Sequence, residues 1–349
     1  MTVKKKAAIL GATGAVGQRF IQLLADHPQI EVSILCASER NAGKPYGEAV
    51  NWQVPGERPT YADHMILRPC QPDFEADIVF SALPSANARE VEPAFAAAGH
   101  AVVSNASAHR MGTDIPLLIP EINPDHTGLI EKQRQNHGWT GFIVTNPNCS
   151  TLGLALPLKA LDDAFGVTEV NVVTLQAKSG AGYPGPPEEL IGDNVLPHIG
   201  GEEDKIETEP NKILGTLAGD TIAPHDMVLS AQCHRVDVLD GHTEALNIRF
   251  KQTPTVDDIK QCLRDFKGLP QEVGLHTAPA SPIEVRDEED RPQPKLDLWA
   301  GKGMATVVGR IRPCPLFDTK MVILSHNTVR GAAGAAILNA ELLIHQGLL

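Results

Sequence analysis

Cys149 stands in the run Thr145-Asn-Pro-Asn148-Cys149-Ser150-Thr151, where an apolar strand ends and a helical pattern, Leu152 to Phe165, begins. A thiol at a helix N-terminus has its thiolate favoured by the unpaired amides and the positive dipole end, so Cys149 is a candidate nucleophile. Free cysteines are usually buried structural residues, but the polar neighbours argue against that here. Such a nucleophile calls for a proton partner with a pKa near neutrality, and histidine supplies one. Among thirteen histidines His242 stands out, because in Cys233 to Thr243 Arg235 on a strand and His242 on the turn that follows it could reach one pocket. As a pattern alone, that pairing is weak.

A second chemical signal lies at the other end of the chain. Gly11-Ala-Thr13-Gly14-Ala15-Val16-Gly17 follows the strand pattern Lys5 to Leu10 and precedes an amphipathic run, Gln18 to His27. A dinucleotide pyrophosphate needs such a turn, with almost no side chains between it and the amides of a helix N-terminus. The spacing is G-x-x-G-x-x-G, and a plain strand-to-helix turn is the alternative. At the end of the next strand an acid would chelate a ribose 2′-hydroxyl and an arginine would hold a 2′-phosphate. Ser38 and Arg40 there favour NADP, while Glu39 keeps NAD open.

The elements that carry these residues read as two units. Strand patterns at Lys5 to Leu10, Glu31 to Ala37, Ile78 to Ala82 and Ala101 to Ser104 alternate with helical or loop segments, including a short helix, Glu92 to Ala98, with Pro93 in its first turn. That alternation predicts a Rossmann-like parallel sheet covered by helices. From Val167 the texture changes to longer alternating runs: Val167 to Ala177, Val228 to Val238, Ala245 to Lys251 and Ala305 to Ile311. These predict a second α+β domain on a largely antiparallel sheet. Thr253 to Lys267 reads as an exposed capped helix, Ala278 to Lys295 as a loop, and Asn327 to Leu349 as a helix returning to the first unit. The expected division is therefore residues 1–148 with 327–349 for the nucleotide, and 149–326 for catalysis.

Composition narrows the partners. The chain of 349 residues has 30 Lys and Arg against 43 Asp and Glu, a net charge of −13 that repels nucleic acid and anionic lipid surfaces. No stretch approaches the roughly 20 apolar residues of a membrane span. The apolar run after the N-terminal lysines is too short for a signal peptide, so the chain is expected in the cytoplasm. The six cysteines show no C-x-x-C pair and no zinc-like spacing with histidine; no metal is expected, and the thiols should be reduced.

Taken together and in order, Gly11 to Gly17, Ala37 to Lys44, Ser104-Asn-Ala-Ser-Ala-His-Arg110, Asn146-Pro-Asn-Cys-Ser-Thr151, Gln176-Ala-Lys-Ser-Gly-Ala-Gly182, Glu209-Pro-Asn-Lys-Ile-Leu-Gly215, Arg235 to His242, and Leu324-Ser-His-Asn-Thr-Val-Arg-Gly-Ala-Ala-Gly334 carry a family resemblance. Over essentially its full length the chain resembles the aspartate-β-semialdehyde dehydrogenases, and within them the archaeal and fungal branch. The resemblance implies reversible, NADP-dependent reductive dephosphorylation of aspartyl-β-phosphate, a step toward lysine, threonine, methionine and isoleucine. Cys149 would form a thioester, His242 would take the thiol proton and later serve the hemithioacetal oxygen, and Gln176 would orient the acyl group. Arg235 would hold the α-carboxylate, Glu209 would face the α-ammonium, and Lys212 and Arg110 would grip phosphate. Asn148 would place the thiol and carbonyl oxygen. Ser179, Gly180 and Gly182 would lie against the cofactor, and Asn327 would bond the nicotinamide carboxamide. Relatives of this kind form homodimers or homotetramers through the second sheet. Malonyl-CoA or succinyl-CoA reductase, N-acetyl-glutamyl-phosphate reductase and a silent NADP-binding protein are the competing readings.

Overall fold

The computed structural model describes residues 3–183 and 185–349; Met1 and Thr2, at the head of the basic N-terminal run, lie outside them. The first sheet comprises β1 (Lys5–Leu10), β2 (Ile30–Cys36), β3 (Ile78–Ser81), β4 (Ala101–Ser104) and β5 (Phe142–Thr145). Its strands are all parallel and run in the order β2-β1-β3-β4-β5. β3, β4 and β5 are buried on both faces, as uninterrupted apolar strands of a doubly covered sheet must be. The chain leaves β1 to one side for β2 and to the other for β3, so the carboxyl end of β1 is the switch point at which such sheets bind ligands.

β6 (Val167–Gln176), β7 (Val195–Leu196), the hairpin β8 (Thr216–Ala218) and β9 (Thr221–Ala223), β10 (Val228–Val236), β11 (His242–Phe250), β12 (Ile283–Val285), β13 (Thr306–Pro313) and β14 (Thr319–Ser325) build the rest. Apart from the hairpin they form one mixed sheet, β12-β13-β14-β11-β6-β10-β7, antiparallel except for β6 with β10 and β12 with β13. Alternation along β11 sends His242, Glu244, Leu246 and Ile248 to one face, which the Cys149–Phe165 helix covers. Among the described residues no helix is long and apolar enough to cross a membrane.

Several expectations need correction. The Ala278 to Lys295 loop contributes β12 to the sheet edge, a strand too short for its charged flanks to reveal. The helix expected at Glu92 starts at Ser85, so Pro93 is internal to it. The small residues Ser85 to Ala88 carry too weak an apolar signal to mark that start. The terminal segment is a regular helix only over Gly334–His345, after a π-turn at Val329–Ala333. It does return to the first sheet, where Ala336, Ile337, Ala340 and Leu343 share a core with Ile9, Phe20 and Phe80.

Candidate active site

The glycine loop is built for close approach. Gly11 has φ +78°, and a Cβ on it would meet the Ala82 carbonyl oxygen at 2.8 Å; a Cβ on Gly17 would stand 2.3 Å from the Gly11 oxygen. The helix Ala15–Leu23 can therefore begin directly against β1. No side chain caps it, and Gly14 occupies its N-cap. The first-turn amides of Ala15, Val16 and Gly17 have no intrahelical acceptor, which is the donor set an anion requires. A cavity of about 750 Å³ opens beside them, lined by Gly11, Thr13, Gly14, Ser38, Glu39, Arg40 and Asn87 among others. The residues present fit a dinucleotide, with pyrophosphate on the loop and Ser38 and Arg40 beside a ribose.

A second cavity of about 270 Å³ shares Leu83 and Pro84 with the first and is walled by Val16, Arg110, Asn148, Cys149, Ser179, Gly180, Glu202, Lys205 and Asn327. Cys149 opens its helix, and Asn148 caps that helix by accepting from the Ser150 and Thr151 amides. Sγ lies 3.2 Å from Nε2 of His242. The Ala177 amide donates to His242 Nδ1 at 3.1 Å, so the neutral ring carries its hydrogen on Nε2, facing sulfur. Burial first, then the charge of Arg235, pushes His242 down to about 3. Burial first, then the Glu202 carboxylate, pushes the Cys149 thiol up to about 12, against the pull of Arg110, Arg235 and the Ser150 amide. The base role expected for His242 needs the opposite tautomer, and the Ala177 amide opposes it.

Other expected residues gather here with different partners from those anticipated. Arg235, paired in register with Gln176, donates to the Ala177 carbonyl at 2.9 Å, and a Cβ on Gly180 would meet its Nη1 at 2.5 Å. Glu209 is engaged on both oxygens, by Arg110 Nη1 at 2.9 Å and by the Asn148 amide at 2.6 Å. Lys212 donates to three backbone carbonyls, of Arg110, Gly112 and Ile115, at 2.6 to 2.7 Å. Burial holds its pKa down at about 8. Its three N–H donors are thereby occupied, so it anchors the loop bearing Arg110 in place of gripping phosphate itself. Among the described residues the buried Nε of Arg110 has no hydrogen-bond partner. Asn327 accepts from the Gly241 amide and donates to Ser179 Oγ, both at 2.8 Å, tying two loops together. Gly182 takes φ +85°, and among the described residues nothing lies within 4 Å of its Cβ position. Gln176 is buried, with Nε2 at 3.3 Å from both Thr174 Oγ1 and Glu202 Oε2.

Sequence reasoning missed Glu202, which opens the acidic run Glu202-Glu203-Asp204 and reads as a solvated first turn. Its position two helical turns before Glu209 was the available signal, since both then share one face of the Glu202–Ile213 helix.

The geometry matches known proteins over its whole extent. Residues 6–130 match the semialdehyde dehydrogenase NAD binding domain, and residues 158–330 the semialdehyde dehydrogenase dimerisation domain. An aspartate-semialdehyde dehydrogenase of Archaeoglobus fulgidus is 54% identical over 348 residues, 99% of this chain and 100% of that one. The chain belongs to the aspartate-semialdehyde dehydrogenase family. The Saccharomyces cerevisiae member is 46% identical over the full length of both chains. Among solved structures, the Candida albicans enzyme with NADP superposes with a TM-score of 0.91 at 44% identity, covering 99% of this chain and 100% of its own. Family membership brings with it the two-domain design seen here, and the chain is an enzyme.

Proposed function

We propose that the chain catalyses the reversible, NADP-dependent conversion of L-aspartyl-4-phosphate to L-aspartate-4-semialdehyde and phosphate, through a thioester on Cys149. The observation that carries this is Sγ held 3.2 Å from His242 Nε2 at the wall of a cavity that shares Leu83 and Pro84 with the glycine-loop cavity. The glycine loop, Ser38 and Arg40 hold NADP, and bound there the reduced nicotinamide supplies hydride.

Cys149 attacks the acyl carbon and displaces phosphate, which takes the thiol proton as it leaves and is met by Arg110 at the cavity wall. Splitting the reduction into acylation and hydride addition replaces one hard step by two easier ones. His242 Nε2–H donates to sulfur before acylation and to the carbonyl oxygen after it, stabilising the negative charge that hydride addition places there. Collapse of that oxyanion releases the aldehyde and leaves Cys149 as thiolate, which takes up the proton of the overall reaction and returns to the thiol. Arg235 holds the α-carboxylate, for which a guanidinium fork is suited. Lys212 and Glu209 keep Arg110 and the Asn148 backbone in place. The nucleotide unit comprises residues 1–148 with 327–349, and the enzyme works in the cytoplasm. It acts as a homodimer or homotetramer, for which Val228 (64% exposed) and Leu175 (39% exposed) on the uncovered sheet face supply apolar surface.

With NADP, phosphate and aspartate semialdehyde the protein should produce NADPH absorbance, and Cys149→Ala should abolish it. Turnover of malonyl-CoA with NADPH and none of aspartate semialdehyde would overturn the reading in favour of a CoA reductase.

A further inference from the structure

Glu202 has no part in the roles assigned above, yet its carboxylate sits at the centre of the site's hydrogen bonds. It is 8% exposed, opens its helix after Gly201 in a left-handed conformation, and shares the cavity wall with Cys149. Its Oε2 accepts from Asn148 Nδ2 at 2.8 Å and from Gln176 Nε2 at 3.3 Å, and its Oε1 accepts from Lys205 at 2.7 Å. Burial would favour its neutral form, but Lys205, Asn148 and Gln176 outweigh it and hold the carboxyl below its ordinary range, so it is charged.

The consequences for Asn148 and Gln176 follow from amide chemistry. A side-chain amide has one donor end and one acceptor end, and a carboxylate takes only donors. Glu202 thus fixes Asn148 with its NH2 toward the carboxylate and its oxygen on the Ser150 and Thr151 amides, the orientation that caps the Cys149 helix. It fixes Gln176 the same way, with NH2 toward Glu202 and Thr174. Glu209, on the same helix, holds the Asn148 backbone amide. Two carboxylates of one helix therefore clamp the residue preceding the nucleophile, one by its main chain and one by its side chain.

We propose that Glu202 is a positioning residue of the reaction centre: its carboxylate locks the amides of Asn148 and Gln176 in one orientation around Cys149. This deepens the reading of Cys149 as the acylated nucleophile and rests on it. Glu202 also places a negative charge near sulfur, which opposes the thiolate. The site keeps the charge because only an acceptor-only group takes donors from both amides and from Lys205 together.

The test uses the full-length protein with Glu202→Gln and Glu202→Ala, read in two ways. The first is the rate at which iodoacetamide alkylates Cys149 between pH 6 and 10, followed on the peptide that bears it; no substrate is involved. In Glu202→Gln the neighbouring charge is gone, so alkylation at a fixed neutral pH should rise several-fold, roughly threefold to tenfold, as the thiol pKa falls. The second is steady-state turnover of aspartate semialdehyde. Glu202→Ala frees both amides, and kcat should drop about tenfold to a hundredfold with KM changed by less than about threefold, while Glu202→Gln recovers much of kcat because its oxygen still accepts from one amide. Alkylation profiles that superimpose on wild type, with kcat of both variants within twofold, would overturn the proposal. So would a large rise in KM at unchanged kcat, since that marks direct contact with substrate. If the wild type alkylates normally but does not turn over aspartate semialdehyde, the functional reading fails and the alkylation arm still decides the role of Glu202.

Discussion

Gly331 and Cys149 pack back to back: a Cβ built on Gly331 would stand 2.8 Å from the Cβ of Cys149 and 3.1 Å from its Cα. The π-turn at Val329–Ala333 is thus the floor beneath the nucleophile. Gly331→Ala must displace Cys149 or the turn, and misplacement of a reacting atom by about an ångström can lower turnover about a hundredfold. The expected result is a kcat reduced by about tenfold to a hundredfold at a Kd for NADP within about twofold of wild type. Steady-state kinetics and nucleotide titration check it, and an unaltered kcat would show that the turn yields.

The proton states of the Cys149 and His242 pair set its pH dependence. The thiol is raised and the imidazole lowered, so both are neutral in the free protein at neutral pH. Below the thiol pKa the thiolate fraction grows tenfold per pH unit, so alkylation of Cys149 should climb by about that factor per unit from pH 6 to 9. No break should occur near pH 6.5, because His242 titrates far below. A plateau already reached at pH 6 would instead reveal a thiolate–imidazolium pair.

Arg40 lines the nucleotide cavity beside Ser38. A hydrogen bond from a charged donor to a phosphate contributes about 1.5 kcal/mol or more, so Arg40→Ala should weaken NADP binding by about tenfold. NAD, which has no 2′-phosphate, should bind the variant and the wild type within about twofold. Fluorescence titration with both nucleotides separates the cases, and an equal loss for the two would assign Arg40 to the shared part of the dinucleotide.

Arg330 and Glu121 form a two-pronged buried ion pair, at 2.7 and 2.9 Å, between the π-turn and the segment 119–123. Removing one partner strands a buried charge, so Arg330→Ala should lower stability by about 3–5 kcal/mol, seen as an early thermal or urea transition. Replacing both by apolar residues, Arg330→Met with Glu121→Leu, should recover most of that loss. A single variant as stable as wild type would mean that water reaches Glu121.

The sequence by itself determined the glycine turn, the two textures of sheet and the candidacy of Cys149, while its pairing with His242 was weak as a pattern and came with the family resemblance. The first three are local: a turn needs glycines at fixed spacing, a strand alternates, and a cysteine in a polar helix start has few other uses. Bounds and partners were not local. The start of the helix at Ser85, the strand inside the Ala278 to Lys295 stretch and the π-turn after Asn327 depend on what packs against them. Only the tertiary structure showed that Lys212 is engaged by the carbonyls of Arg110, Gly112 and Ile115, that Ala177 sets the tautomer of His242, and that Glu202 reaches both Asn148 and Gln176. A side chain's type limits which bonds it can make, but which acceptor it meets is decided by residues tens of positions away, brought within 3 Å by the fold.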